Sequence, residues 1–399
     1  MADVLFILVR TPVKEVYGGE KSTIATANGL LAKGFRSSFL VTARDQLLPL
    51  LDEAELPYEL VEVPDPIAGI RAATWRGRAA KLRDLFLLNR AVYRQVRDDG
   101  VRVVHAAAVP GFFSSWLGGK LAGAQVVFHV RTASRDQKMR WPEELAILLS
   151  DRTITVSRSL REQLLGSGHR LLRPILGPKL QAIYNGFDFH EIDAFRAAEP
   201  RAACRASTGP GAERVSALLV GSVFVDKGQL RFIERVLPRV VAQVPTLRVT
   251  CLGGVKDEAY EAACRASLAR LGLTDHFVFG GYLPQQEVYR WYQGADFAVL
   301  PSEREGLPRC GVEAHAFGLP MAATAVVGTV EAVKHGETGF LVPNDRIEEL
   351  AEPMIRLAKD AALRARMGAA AEAHVRANFS LERNVTEIAG VYRELTAAP

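Results

Sequence analysis

The sequence predicts an α/β protein of two doubly wound, parallel-sheet domains. Three observations lead there. Short apolar runs alternate with longer amphipathic segments along the chain. The runs are continuously apolar, as strands covered on both faces are. The alternation pauses once, in a small, polar, Gly/Pro-punctuated stretch near the middle, and then restarts. The 399 residues suit two domains of ordinary size.

In chain order, the first half carries strand candidates at 4–9, 37–41, 58–63, 101–105, 125–130, 152–156 and 181–184. Helix candidates lie between them at 20–33, 46–54, 70–97, 111–122, 142–150 and 158–166. The opening run, Val4-Leu5-Phe6-Ile7-Leu8-Val9, lacks the basic region and small-residue cleavage site of a signal peptide, so it reads as a buried strand. Residues 197–213 read as a linker. Strands follow near 216–220, 246–252, 276–279, 296–300, 320–324 and 339–342, with helices near 228–243, 257–271, 286–294, 309–317, 329–335 and 346–376. The expected domains are therefore 1–196 and 214–378. Residues 379–399 form a terminal helix with Ser380 as N-cap and Glu382 in its first turn, expected to pack back on the first domain.

Composition excludes other classes. With 48% apolar and 24% charged residues the chain is neither disordered nor fibrous. No stretch approaches the roughly 20 apolar residues of a membrane-spanning helix. Four cysteines without CxxC spacing call for neither disulfides nor zinc, so a cytoplasmic protein without a metal is expected. The net charge of +5 is localised: residues 66–97 alone carry +7, residues 1–65 carry −4, and residues 200–399 are neutral.

The stretch Leu300-Pro-Ser-Glu-Arg-Glu-Gly-Leu-Pro-Arg-Cys-Gly-Val-Glu-Ala-His-Ala-Phe-Gly-Leu-Pro320 joins a buried strand to a helix with Pro308 at its first position. The free amides around Gly306–Cys310, among them those of Gly306, Leu307 and Arg309, would open toward the carboxyl end of the sheet, an arrangement that binds phosphate. Glu305 and Glu313 flank that turn, placed to receive hydroxyls of a sugar and a ribose; equally, both are ordinary solvated carboxylates at a helix start. In Ala217-Leu-Leu-Val-Gly-Ser-Val-Phe-Val-Asp-Lys-Gly-Gln229, the strand ends at Gly221-Ser222 and Lys227 opens the next helix. A lysine there reaches a diphosphate as a point charge, or is a plain surface lysine. Neither GxxxxGK[ST] nor GxGxxG after a strand is present, which argues against ATPase and dehydrogenase chemistry. Gly18-Gly19 before the first helix permits close backbone approach by a ligand, or a tight turn. His129 and His105 both end strands, where side chains face either a ligand or the core.

Taken together these segments resemble the family 4 glycosyltransferases of the GT-B fold, over nearly the whole chain. Gly18-Gly19, His129, Tyr184-Asn-Gly-Phe-Asp188, Val220-Gly221 with Lys227-Gly228, Phe279-Gly-Gly-Tyr282 and Pro301-Ser302 match in order. Glu305-Gly-Leu-Pro-Arg…Glu313-Ala matches the family's Glu-x7-Glu signature, followed by Ala316-Phe-Gly-Leu-Pro320 and Glu331. The resemblance implies two Rossmann-like domains facing a central cleft. It implies retaining transfer of a sugar from a nucleotide-sugar co-substrate, UDP ahead of GDP, with no metal and no other cofactor. Glu313 would hold the donor ribose and Glu305 the donor sugar hydroxyls. Lys227 would neutralise the diphosphate, assisted by amides near Gly306–Leu307 and Gly19. Backbone at Tyr282 and Leu283 would read the base, and His129 would lie against the donor sugar. One departure stands out: Ser222 occupies the place where the family usually has an arginine that pairs with the diphosphate alongside the lysine; Arg309 or Arg304 would substitute for it, or Ser222 itself would hydrogen-bond the phosphate.

The acceptor belongs to the first domain. In segment 70–97, Trp75, Leu82, Leu85, Phe86, Leu88, Val92 and Tyr93 interleave with eight basic residues, among them Arg76, Arg78, Lys81 and Arg83. Such a helix lies on an anionic membrane, or packs in the fold with a solvated arginine face. Arg131, Arg135, Lys138, Arg140 and Trp141 form a second cluster suited to an acceptor or the membrane. A glycan, lipid-linked or small-molecule acceptor is expected, at the cytoplasmic side of a membrane and without nucleic acid, since no recognition motif accompanies the charge. Two alternatives remain: a nucleotide-sugar epimerase or hydrolase of the same fold, and a catalytically silent nucleotide-sugar-binding subunit.

Overall fold

The computed structural model describes residues 2–10, 18–63, 75–132, 139, 141–208 and 214–397, with residues 75–79 described by backbone alone. The chain forms two compact units, Met1–Phe187 with Leu381–Pro399, and Asp188–Ser380.

The first unit is built on seven parallel strands: β1 (Val4–Leu8), β2 (Ser37–Val41), β3 (Tyr58–Leu60), β4 (Val103–Ala107), β5 (Gln125–Val130), β6 (Arg152–Thr155) and β7 (Leu180–Ala182). Their spatial order is β3-β2-β1-β4-β5-β6-β7. β1 and β2 are buried along their whole length; β1 accordingly reads as an unbroken apolar run, while β2 begins with Ser37 and Ser38 before Phe39, Leu40 and Val41. On one face Phe6, Phe39, Val103, Val127 and Ile154 form a core with Leu30 of the helix Gly18–Leu31 and with Val385, Ile388 and Tyr392 of the terminal helix Leu381–Ala397. Asn384 fastens that helix: its Nδ2 donates to the Tyr184 carbonyl at 2.6 Å, and its Oδ1 accepts from Thr26 Oγ1 at 2.9 Å. At Gly29 any Cβ would stand 2.6 Å from Val385, so the two helices meet where one lacks a side chain.

The second unit holds β8 (Val215–Val220), β9 (Leu247–Leu252), β10 (Phe277–Gly281), β11 (Phe297–Leu300), β12 (Met321–Ala325) and β13 (Gly339–Pro343), ordered β10-β9-β8-β11-β12-β13 and all parallel. Phe232, Val249, Phe277, Phe297, Leu350 and Met354 centre its core. In both sheets the order reverses beside the unit's first strand, leaving crevices at the carboxyl ends of β1/β4 and β8/β11 where ligands of such sheets bind.

The expected linker over 197–213 is not one. Phe189–Ala198 is a helix capped by Asp188, so the expected boundary at 196 falls inside an element of the second unit. Arg201–Thr208 is a further helix, seated on Gly294, with Arg201 and Arg205 both paired to Asp296. Alanine, read there as a small linker residue, is the strongest helix former. Residues 209–213 lie outside the described residues. The expected helix 111–122 is two, Ala108–Phe113 and Trp116–Leu121. No helix among the described residues is long and apolar enough to cross a membrane.

Candidate active site

After β8 the chain makes a short 3-10 turn, Val225–Lys227, closed by Gly228 in the left-handed region at φ +70°. A Cβ on Gly228 would come within 2.1 Å of the Pro301 carbonyl, so this turn lies directly against the exit of β11. The Lys227 stem passes Gly221, whose absent Cβ would stand 3.5 Å away. Its ammonium donates to Glu305 Oε1 at 2.6 Å, and Ser302 Oγ donates to the same oxygen at 2.8 Å. Thr324 of β12 fixes that loop through the carbonyls of Leu300 and Ser302. Burial by itself depresses the Lys227 pKa, but Glu305, Cys310 and Asp226 outweigh it and raise the value above the ordinary one. Lys227 is therefore a fixed cation. Burial pushes the Cys310 thiol up to about 12 against the pull of Lys227, which removes it as a nucleophile.

Pro308 is the N-cap and not the first helical residue; the helix runs Arg309–Ala316. Its Glu313 is buried, receives Arg309 Nη2 at 3.1 Å, and lies 3.5 Å from the Tyr292 hydroxyl. Gly328 lets its loop close on the helix entrance, since a Cβ there would stand 2.0 Å from the Gly306 carbonyl. The cations proposed to replace the missing arginine are both engaged: Arg304 pairs with Asp226, linking the β8 and β11 loops a second time, and Arg309 pairs with Glu313. Ser222 is held through its carbonyl, which accepts from Gln229 Nε2 at 3.0 Å. Tyr282 is exposed beyond β10. Leu283 lines a recess of about 510 Å³ with Gly280, Arg290 and Trp291, and neither Lys227 nor Glu305 belongs to that recess. Gly306, Leu307 and Glu305 are buried together on the β11 loop.

In the first unit the structure joins Gly18-Gly19, His129 and Arg131. Gly18 begins the first helix, and the Gly19 carbonyl accepts from Arg131 Nη1. Arg131, expected on an acceptor or membrane face, instead turns inward because β5 ends beside that helix. Burial lowers its pKa to about 10. His129 is 4% exposed; its Nδ1 lies 2.9 Å from His105 Nε2, and His105 Nδ1 lies 2.5 Å from the Tyr392 hydroxyl. Burial, then the Arg131 charge, pushes His105 down to about 3 and His129 well below the ordinary value, so both rings are neutral.

The helix Trp75–Asp99 packs Leu88, Ala91, Val92 and Val96 inward and locks to Gly118 through Asn89. Leu82 and Phe86, 68% and 64% exposed, share the outer face with Arg83, Arg90, Arg94 and Arg97. Lys81 is half-buried, and Arg83 is paired with Asp84. The side chains of Trp75, Arg76 and Arg78 lie outside the described residues, as do Arg135, Lys138 and Arg140. Among the described residues no group of three His, Cys, Asp or Glu side chains is arranged to hold a metal ion.

Residues 16–191 match the family model described as Glycosyltransferase Family 4, and residues 214–360 that described as Glycosyl transferases group 1. The chain belongs to the family 4 glycosyltransferases. A D-inositol 3-phosphate glycosyltransferase of Thermobispora bispora is 27% identical over 325 residues, 77% of this glycosyltransferase and 73% of that relative. One from Streptomyces bingchenggensis is 31% identical over 209 residues, so the chain spans about half, 46%, of its length. A glycosyltransferase from Rickettsia africae superposes with a TM-score of 0.81 at 19% identity over 99% of both chains. Anabaena HepE, crystallised in complex with UDP, gives 0.77 at 18% identity over 98% of this chain and 100% of its own. These likenesses establish the GT-B fold.

Proposed function

We propose that this glycosyltransferase moves a sugar from a nucleotide-sugar donor, a UDP-sugar ahead of a GDP-sugar, to an acceptor hydroxyl, retaining configuration and using no metal. The observation that carries the reading is the buried Lys227–Glu305 pair where the β8 and β11 loops meet. A donor diphosphate takes the place of Glu305 beside Lys227, which frees the carboxylate to receive hydroxyls of the donor sugar. Amides of Gly306 and Leu307 complete the phosphate cradle, Glu313 receives the ribose, and backbone at Tyr282–Leu283 meets the base. As the C1–O bond breaks, its electron pair leaves with the diphosphate, whose growing charge Lys227 and the amides stabilise selectively. The acceptor oxygen bonds C1 on the same face, and its proton passes to the departing phosphate oxygen. The relatives' UDP complex and glycosyltransferase names support the donor class. Thermal unfolding with UDP, GDP and ADP tests it: UDP at a hundredfold excess over its Kd should add about 2.7 kcal/mol to the unit it binds. No shift with any nucleotide would sink the reading.

The acceptor is a glycan, lipid-linked or small molecule. The exposed Leu82/Phe86 and arginine face favours a lipid-linked one at an anionic membrane, each basic residue contributing roughly 1 kcal/mol there. Binding to phosphatidylglycerol vesicles should exceed binding to phosphatidylcholine ones, and Leu82→Glu/Phe86→Glu should reduce it about tenfold or more. Equal flotation with both vesicle types, or none, would remove the membrane from the account.

A further inference from the structure

The first unit carries a recess of about 550 Å³ at the amino end of its sheet. It lies between the starts of β2 and β3 and the last turns of the helices Gly18–Leu31 and Trp75–Asp99. Gly18-Gly19 stand at the opposite end of the first of these helices, about 20 Å away at a rise of about 1.5 Å per residue. The recess is therefore remote from the carboxyl-end crevice, and the described residues that line it all belong to the first unit.

Its polar groups follow from the strand. A buried parallel strand is ordinarily apolar, yet β2 opens with Ser37 and Ser38, 7% and 5% exposed. Ser37 faces the helix Gly18–Leu31 and donates to the Ala27 carbonyl at 3.4 Å. Ser38 alternates to the opposite face. Among the described residues its buried hydroxyl has no hydrogen-bond partner. Gln95 of Trp75–Asp99 lines the same recess, and its buried Oε1 is likewise without a partner. The backbone adds to these. The Phe39 amide donates to the Pro57 carbonyl at 2.9 Å. Ser37, two residues earlier, turns its own amide and carbonyl to the same side, where Pro57 has no amide to offer.

The remaining wall is largely apolar, with Leu31, Leu56, Pro57 and Tyr58. Their loop is fixed by the Leu56 amide, which donates to the Leu51 carbonyl at 2.9 Å. Charge stays toward the rim: Arg36 and Glu55 are exposed, Arg36 is paired to Asp3, and Asp99 is half-buried at a helix end. An apolar ligand would leave Ser38 and Gln95 unpaired. A charged ligand would lose hydration against uncharged groups.

We propose that this recess is a binding site, separate from the site of transfer, for a neutral, hydroxyl-rich small ligand: a sugar, free or as a unit of a glycan. One hydroxyl donates to Gln95 Oε1, a second exchanges a hydrogen bond with Ser38 Oγ, and C–H groups of the ring cover Leu56 and Pro57. The unpaired groups are then the specificity of the site, held ready at a cost to the empty fold.

Saturation-transfer NMR titrations of the full chain with D-glucose, D-galactose, D-mannose and N-acetyl-D-glucosamine test the site. At least one sugar should bind with a Kd on the order of 1 mM. Ser38→Ala and Gln95→Leu should each weaken it about tenfold, the worth of one hydrogen bond. Without sugar, both variants should unfold no earlier than wild type, because each removes a buried polar atom that lacks a partner. Lys227→Met/Glu305→Gln should bind the sugar as wild type does, and the charged analogues D-glucuronate and D-glucosamine should bind more weakly than neutral sugars. The methyl glycoside of the best sugar separates the sources: retained affinity assigns the site to a sugar linked in a chain, lost affinity to a free one. No saturable binding by any of the four sugars, unchanged affinity in Ser38→Ala and Gln95→Leu, tighter binding of a charged analogue, or loss of binding in Lys227→Met/Glu305→Gln would each overturn the proposal. Earlier unfolding of both sugar-free variants would assign the two groups to the fold and overturn it too. Absence of transfer by the wild type defeats the glycosyltransferase reading and leaves this site standing.

Discussion

Lys227→Met should lower sugar transfer about a thousandfold, the scale of losing one preorganised charge at a developing oxyanion. The substitution keeps the stem along Gly221 and removes only the charge. It also strands Glu305, whose carboxylate is buried and keeps a hydrogen bond from Ser302 alone among the partners described above. Breaking a buried pair from one side costs roughly 3–5 kcal/mol, so the single variant should melt early as well. Glu305→Gln strands the cation in the same way and should also lose transfer. The double variant Lys227→Met/Glu305→Gln separates the two effects. With neither charge left, stability should return most of the way to wild type, because the partnerless charge is the costly state. Transfer should not return. Assayed together, unfolding midpoints and initial rates decide the matter: recovery of both in the double variant would make the pair a structural strut and withdraw Lys227 from the chemistry. Full nucleotide binding with no turnover in the wild type would favour the silent-subunit alternative that Ser222 raises.

The strands were legible because parallel sheets bury both faces, which leaves continuous apolar runs; β2 and β5 fall on the expected residues. Each half of the candidate site was legible for a similar reason, since a turn after a buried strand has a recognisable chemistry of Gly, Pro and polar residues. What could not be read was the pairing. Lys227 and Glu305 are 78 positions apart, and only the adjacency of β8 and β11 brings them to 2.6 Å. Tyr392 is 287 positions from His105 and sits in a helix whose amphipathic pattern announces packing, not a hydrogen bond to a strand histidine. Arg131 looked like part of a surface cluster because its neighbours in sequence are basic, yet the end of β5 directs it to Gly19. The helix Arg201–Thr208 was hidden by composition: its flanking Gly and Pro residues suggested a linker, while its alanines and its two arginines on Asp296 make it an ordered element.

Gly228→Ala should be strongly damaging to the second unit. Gly228 sits at φ +70°, where an L residue pays roughly 1–2 kcal/mol. Its new Cβ would also meet the Pro301 carbonyl at 2.1 Å. Neither side can yield cheaply. The Pro301 carbonyl is anchored by Arg231 Nη2 at 2.8 Å, and the Gly228 carbonyl starts the next helix by accepting from the Phe232 amide. Strain and overlap together predict a loss of about 3–5 kcal/mol. Gly272→Ala is the matched control. Gly272 has φ +67°, but nothing stands within 4 Å of its Cβ position, so it should lose only the conformational share, about 1–2 kcal/mol. Urea unfolding of the two variants therefore measures the close approach of the β8 and β11 loops directly. Equal losses would mean that the loops are not held together at Gly228, and the geometry that brings Lys227 to Glu305 would lose its support. Unequal losses carry a second consequence: relieving the overlap in Gly228→Ala pushes the turn away from Pro301 and takes Lys227 with it. Transfer by the folded fraction should then fall toward the Lys227→Met level, although the lysine itself is intact.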